Sequence, residues 1–344
     1  MIMRRATNRG LGLSGMFRKT TTNLSRASAG LLRLARTLVI VGLGTGPVLA
    51  QSSHLPPTVP ASAALQARIA EFEQRIIDLA GAKAGEPKMR RLSPQQRKAR
   101  VEFVIGNIFF VAMHELGHAV ISELEVPVLA REEDTADVFA IGAAMRIVAN
   151  EFAHRILMGA VKGWFFSARR AKRYGESPRY YEQHGLDEQR AYHIVCLMVG
   201  HDPARFKDLA DETKLPESRR RSCRRDYETA AWSWHRVMAP HLRAEGQPKT
   251  PIEVVYGDAE GPLAPFAHAF REVRFLELLA EYAASRYLWP SPMVIEMATC
   301  GQANARWTTP ARRMQICYEL AQEFAELFGE HQQRRQSKNP ARRR

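Results

Sequence analysis

This sequence of 344 residues has no C-x-x-C cysteine pair, and long hydrophobic runs and strand-like patterns are scarce in it. A zinc site built from cysteines is therefore not expected. The apolar run at 103–113 is well short of the roughly 20 residues that cross a bilayer, so we expect it to form a buried helix. Strand patterns are confined to 252–256 and a hairpin near the C-terminus. Apolar residues at helical spacing predict helices over 66–80, 101–123, 133–162, 187–200, 223–238, 272–287 and 315–329. We therefore expect a predominantly helical α+β fold.

Acidic residues are absent from both ends of the chain. Residues 1–50 hold eight Lys or Arg, and residues 334–344 hold six. These account for the whole formal net charge of +14, because the remaining 36 basic residues balance 36 acidic ones. A neutral middle argues against nucleic-acid binding. The run of cations at the C-terminus is typical of a solvated end, so we expect a basic, disordered tail at 331–344.

The N-terminal cations have a specific interpretation. Arg33 and Arg36 precede a short apolar segment, and small residues end it at Ala50, which is the pattern of a signal peptide spanning 1–50. An uncleaved anchor is the alternative. We expect an exported protein, periplasmic or secreted, that contacts a membrane peripherally at most. Residues 51–98 would then form a linker and helix ahead of the main domain at 99–330.

The four cysteines fit such a compartment, because an even number in an exported protein is typical of disulfides. Four cysteines allow three pairings. We expect the two pairs that are local in sequence, Cys196 with Cys223 and Cys300 with Cys317.

The most informative motif is His114-Glu115-Leu116-Gly117-His118, an H-E-x-x-H pattern. Residues four apart share one face of an α-helix, so both imidazoles can bind one zinc ion while Glu115 lies beside it as a general base. Gly117 is costly inside a helix, which indicates a packing or access requirement at that position.

A catalytic zinc ion usually has three protein ligands and one water, so a third ligand is needed. Glu133 is the best candidate, at the start of a second predicted helix, with its neighbour Glu132 as the alternative. Asp137 lies four residues further and can accept a hydrogen bond from a ligand imidazole. A purely structural reading also exists, because acidic residues are common at helix N-termini.

The H-E-L-G-H motif with the downstream E-x-x-A-D motif resembles the gluzincin branch of zinc metallopeptidases. More closely, 109–118, 127–134 and later segments resemble a bacterial metallopeptidase family of otherwise unknown function, over about 99–328. The resemblance implies a zincin-like fold with an active-site helix and a small β-hairpin or sheet lining the cleft. It also implies one Zn²⁺ ion and peptide or protein substrates.

Two further assignments rest on this resemblance. Gluzincins often use a later His or Tyr to stabilise the tetrahedral intermediate, and His184 is the first candidate. The alternative is that His184 is only a loop residue, ahead of an N-cap at Asp187. Asn304 and Ala305 resemble the strand that binds extended peptides along the cleft, although this strand follows the zinc motif instead of preceding it. A disulfide-closed surface hairpin is the alternative.

The sequence thus predicts an exported zinc-dependent metallopeptidase with Glu115 as general base. The alternative is a catalytically silent, zinc-binding envelope protein that acts as an interaction module.

Overall fold

The computed structural model describes residues 55, 56, 61–81, 89, 91–147 and 151–338. The expected signal peptide at 1–50 lies outside the described residues. The described helices are α1 (Ala63–Gly81), α2 (Pro94–Glu123), α3 (Glu132–Ile147), α4 (Glu151–Arg173), α5 (Asp187–His201), α6 (Lys207–Glu212), α7 (Glu217–Met238), α8 (Ala264–Glu272), α9 (Phe275–Arg286) and α10 (Tyr318–Lys338). The strands are β1 (Ile252–Tyr256), β2 (Met293–Ala298), β3 (Ala305–Thr308) and β4 (Arg313–Cys317).

Helix α2 is the central element, and it packs against α1, α3, α4 and α10. A capping box starts it: the Ser93 hydroxyl accepts from the Gln96 N–H, and the Gln96 side chain accepts from the Ser93 N–H. By length and composition, α2 is apolar enough to cross a membrane. However, 89% of its most apolar window is buried inside the protein, so it is a core helix here.

The sheet has the strand order β1-β2-β4-β3. Strands β1, β2 and β4 pair in parallel, and β3 pairs antiparallel with β4 at the edge. The predominantly helical α+β fold predicted from the sequence is confirmed. Strand β2 was missed by the sequence analysis, although its residues alternate between buried and partly exposed positions.

Two helix predictions differ from the structure in extent. Over the range expected as one helix, 133–162, the structure describes α3 and α4, with 148–150 outside the described residues, and α4 continues to Arg173. The last helix continues to Lys338, into the tail expected to be disordered. His331 stacks on Phe166 of α4 there, which supports the additional turns.

Close packing of α2 on α3 explains the glycine of the motif. A Cβ atom at Gly117 would lie 3.1 Å from Cα of Ala136 and 3.2 Å from its Cβ. The packing requirement expected at Gly117 is therefore present. It brings the acidic start of α3 beside the two histidines of α2.

Two disulfides join elements around this core. Cys196 bonds to Cys223, linking α5 to α7, and Cys300 bonds to Cys317 at the end of β4. They are the two sequence-local pairs, and they fit an oxidising environment.

Candidate metal centre

The two histidines of the H-E-x-x-H motif converge at one point. Their Nε2 atoms lie 3.1 Å apart, and the rings meet edge to face. This follows from the helix itself, because positions 114 and 118 are one turn apart on the same face. Both Nε2 atoms can therefore bind a single ion.

Glu133 brings a third possible donor atom to this point. Its Oε2 atom lies 3.0 Å from Nε2 of His114 and 3.5 Å from Nε2 of His118. Around a tetrahedral zinc ion with bonds of about 2.0–2.1 Å, neighbouring donor atoms lie about 3.3 Å apart. The three separations of 3.0, 3.1 and 3.5 Å match that spacing, so these donors fit a zinc ion.

The outer nitrogens of both rings also have carboxylate partners. Nδ1 of His114 lies 2.8 Å from Asp137 Oδ1, and Nδ1 of His118 lies 2.7 Å from Glu132 Oε1. A carboxylate accepts, so each Nδ1 carries the proton and each Nε2 presents a lone pair to the centre. Lone pairs that face each other and a carboxylate require a cation or a proton between them. Glu133, not its neighbour Glu132, faces the shared centre.

The carboxylates close to the two histidines raise the pKa values of both rings. Burial by itself lowers the pKa of His118, but Glu133, Glu115 and Glu132 outweigh it and raise the pKa to about 9. Burial likewise lowers the pKa of His114, and hydrogen bonds with Asp137 and Glu133 raise it above its usual range. Without a metal ion, protons hold these rings and carboxylates together.

Arg190 on α5 anchors Asp137 from behind. Its guanidinium donates to both carboxylate oxygens and lies 4.0 Å from the ring centroid of Trp164. Burial alone raises the pKa of Asp137, but the charge of Arg190 and the hydrogen bond from His114 hold that pKa well below its usual range. No motif in the sequence points to Arg190 as a partner of Asp137. The one sequence feature that could have indicated a buried role is a cation on the apolar face of a predicted helix, one turn before Ile194.

His184 lies at the centre, where Glu133 is its hydrogen-bond partner. Its Nε2 donates to Glu133 Oε2 at 2.6 Å, and its ring stacks on His114. Asp187 is not an N-cap: Leu186 takes that position, and the Asp187 carboxylate accepts a hydrogen bond from Ser167. Asp187 therefore joins α5 to α4 and holds the start of α5, just after His184, near the metal centre.

Glu115 points to the edge strand of the sheet. The backbone N–H of Trp307 in β3 donates to Glu115 Oε2 at 2.8 Å, and the Trp307 indole donates to Ser122. These two hydrogen bonds join β3 to α2. The free edge of the sheet therefore runs past the carboxylate beside the histidines.

A cavity of about 30 Å³ lies between Glu115, His184, Arg190 and the start of β3. Asn304 lines it and is 8% exposed, and its Oδ1 accepts no hydrogen bond within the described part of the chain. Its backbone carbonyl accepts from the Cys317 N–H. The structure thus brings Asn304 and Ala305 to the centre together with every histidine and carboxylate proposed from the sequence.

Comparisons with known proteins add one match. No curated protein and no solved structure matched this chain. A family model with the description "Putative metallopeptidase" matches residues 82–238 and 262–343, which include all the residues of the centre. The match covers well over half of the chain, so this protein belongs to that metallopeptidase family.

Proposed function

We propose that this protein is a zinc-dependent peptidase, with His114, His118 and Glu133 as zinc ligands and Glu115 as the general base. The observation that carries the proposal is the spacing of the three donor atoms, 3.0, 3.1 and 3.5 Å apart, with Glu115 on the same helix. A purely structural zinc site has no need of the additional carboxylate at position 115.

The chemistry divides between the ion and the chain. A bound zinc ion polarises the scissile carbonyl and lowers the pKa of a water molecule to about 7. Glu115 takes a proton from that water and later delivers it to the leaving amine. The Trp307 N–H fixes one oxygen of Glu115, which leaves the other oxygen for the proton.

The substrate lies along β3 as an added strand. In an antiparallel ladder, backbone groups point alternately toward and away from the partner strand. The Asn304 carbonyl faces β4 and the Trp307 N–H faces Glu115, so the N–H and C=O of Ala305 face the free edge. An extended peptide binds there by main-chain hydrogen bonds, and the unpaired Asn304 Oδ1 accepts one from a substrate N–H.

His184 stabilises the developing negative charge on the substrate carbonyl oxygen. In this structure its Nε2–H is bound to Glu133 Oε2, the atom proposed as a zinc ligand. A carboxylate oxygen has two lone pairs, so Glu133 Oε2 could hold zinc and still accept from His184. When His184 turns from Glu133 to the substrate, its N–H becomes available to the reacting carbonyl.

The proposed setting is outside the cytoplasm. A signal peptide at 1–50 directs export, and the two disulfides fit an oxidising compartment. The catalytic domain spans 99–330, preceded by a linker and α1. Because α10 continues to Lys338, we place the start of the basic tail after that residue.

Incubation with a diverse peptide library, with and without a chelator, tests the activity by mass spectrometry. We expect cleavage without chelator, loss of cleavage with it, and recovery on adding zinc. Glu115→Gln should retain zinc and lose cleavage by several orders of magnitude. Glu125→Gln is the matched control, since Glu125 lies beyond the end of α2, away from the centre.

Two results would argue against the proposal. Cleavage that persists in Glu115→Gln removes this residue from the mechanism. Tight zinc binding without cleavage of any peptide favours the non-catalytic interaction module instead.

A further inference from the structure

A basic groove lies on the outer face of α4, on the side away from the metal centre. It has a volume of about 400 Å³ between α4 and α10. Phe166 and Leu327 form part of its wall, and five cations surround it: Arg169, Lys172 and Arg173 from α4, and Arg334 and Arg335 from α10.

Most of this charge is not neutralised within the protein. Arg173 pairs with Glu330, the one acidic residue of the groove. Within the described ranges, Arg169, Lys172, Arg334 and Arg335 form no ion pair with a carboxylate. The guanidinium of Arg169 lies instead 5.7 Å from the ring centroid of Phe166. The groove therefore carries an excess of about four positive charges.

Other arginine-rich surfaces of the chain are different. On α7, Arg219 pairs with Asp226, Arg220 with Asp211 and Arg224 with Glu228. That run of basic residues is largely balanced by acids. Unbalanced cations are thus a property of the α4–α10 groove and not of every arginine-rich segment of the chain.

His331 lies within the groove, and the positive charge around it lowers its pKa. Burial lowers the pKa of His331, and the charges of Arg169, Arg335 and Lys162 lower it further, to about 4. His331 is therefore neutral under ordinary conditions and adds no charge. A local excess of positive charge of this kind attracts phosphate, which guanidinium groups bind in bidentate geometry.

An exposed tyrosine extends the basic surface at the end of α4. Tyr174 follows Arg173 directly and is 65% exposed, and the guanidinium of Arg173 lies 5.7 Å from its ring centroid. A tyrosine beside Lys and Arg is typical of segments that lie at a membrane surface, where the ring sits among the headgroups.

We propose that the α4–α10 groove binds the phosphates of anionic phospholipids and holds the enzyme on a membrane surface. The groove and the metal centre use opposite faces of α4, since Trp164 and Ser167 face the centre while Phe166 and Arg169 face the groove. Docking on a membrane therefore leaves the substrate edge of β3 accessible.

Vesicle sedimentation with the whole chain tests this proposal. Vesicles of phosphatidylcholine mixed with phosphatidylglycerol are compared with vesicles of phosphatidylcholine alone, and the ratio of the two dissociation constants is measured. The variant Lys172→Gln/Arg334→Gln/Arg335→Gln removes three exposed, unpaired cations. At about fivefold per basic residue, its preference for anionic vesicles should fall about 100-fold.

The control variant is Lys207→Gln/Arg221→Gln/Arg225→Gln, which removes the same charge from another exposed surface. It should keep the preference within a few-fold. An equal loss in both variants would mean that net charge alone is responsible and would overturn the proposal. Groove-dependent binding to duplex DNA with no preference for anionic vesicles would overturn the lipid assignment.

Discussion

Arg190 donates two hydrogen bonds to the carboxylate of Asp137, from Nε at 2.8 Å and from a terminal nitrogen at 2.6 Å. Both side chains are almost fully buried. Asp137 in turn accepts from Nδ1 of His114, so a buried arginine fixes the orientation of a proposed zinc ligand at one remove.

Replacing Arg190 tests this coupling. Arg190→Met leaves the buried Asp137 charge with His114 as its remaining partner, which should lower the free energy of unfolding by about 3–5 kcal/mol. Zinc affinity should fall about 10–100-fold, measured by competition with a chelating dye. Arg190→Lys keeps the charge but not the paired hydrogen bonds of a guanidinium, so its stability and zinc affinity should be intermediate. If Arg190→Met binds zinc as tightly as the exposed control Arg221→Met, then Arg190 does not position the ligand.

Zinc affinity should depend on pH. The pKa of His118 is raised from 6.5 to about 9, so its protonated form stabilises the metal-free protein fully below pH 6.5, and this contribution is lost as the pH rises through about 9. Zinc requires the neutral ring. The affinity for zinc should therefore increase between pH 6.5 and about pH 9, by up to about tenfold per pH unit for each proton released. Calorimetry in buffers of different ionisation enthalpy would count these protons, and a flat profile would contradict the assignment.

His184 should matter for turnover more than for the metal. His184→Ala removes the proposed donor to the substrate oxygen, and kcat should fall about 10²–10³-fold while zinc is retained and KM changes little. Tyr181→Phe, an exposed neighbour in the same loop, is the control. Loss of zinc with unchanged kcat per bound ion would make His184 a ligand instead of a catalytic donor.

Two glycines should respond in opposite ways to replacement by alanine, because Gly106 lies where α2 and α4 are close together and Gly329 does not. A Cβ atom at Gly106 would lie 2.3 Å from the carbonyl oxygen of Ile156, so Gly106→Ala should destabilise the protein by about 1–3 kcal/mol. Gly329 in α10 has no atom within 4 Å of that position, so Gly329→Ala should be neutral or stabilising by up to about 1 kcal/mol. Urea unfolding measures both. Equal changes in the free energy of unfolding for the two variants would mean that α2 and α4 are not packed this closely.

Much of the candidate site could be predicted because its spacing is local. His114 and His118 are one helical turn apart, as are Glu133 and Asp137, so helix geometry alone places each pair on one face. The contact between the two helices was expected from the need for a third ligand, while Gly117 indicated only a packing or access requirement. The choice between Glu132 and Glu133 needed the structure, because adjacent residues on a helix point in different directions.

Other features depend on contacts distant in sequence. Arg190 meets Asp137 through the packing of α5 on α3, which no short motif records. Parallel strands pair only after long connections, so β2 had no neighbouring strand in the sequence to mark it. The basic groove likewise forms where α4 and α10 meet, although the sequence showed only a basic C-terminal segment.

Zinc stoichiometry in two adjacent variants tests the central claim most directly. Native mass spectrometry compares the unmodified chain with Glu133→Ala and Glu132→Ala at a zinc concentration near that of the protein. The proposed ligand set predicts one zinc ion in the unmodified chain and in Glu132→Ala, with weaker retention in the latter, and almost none in Glu133→Ala. A full complement of zinc in Glu133→Ala would contradict the proposed centre.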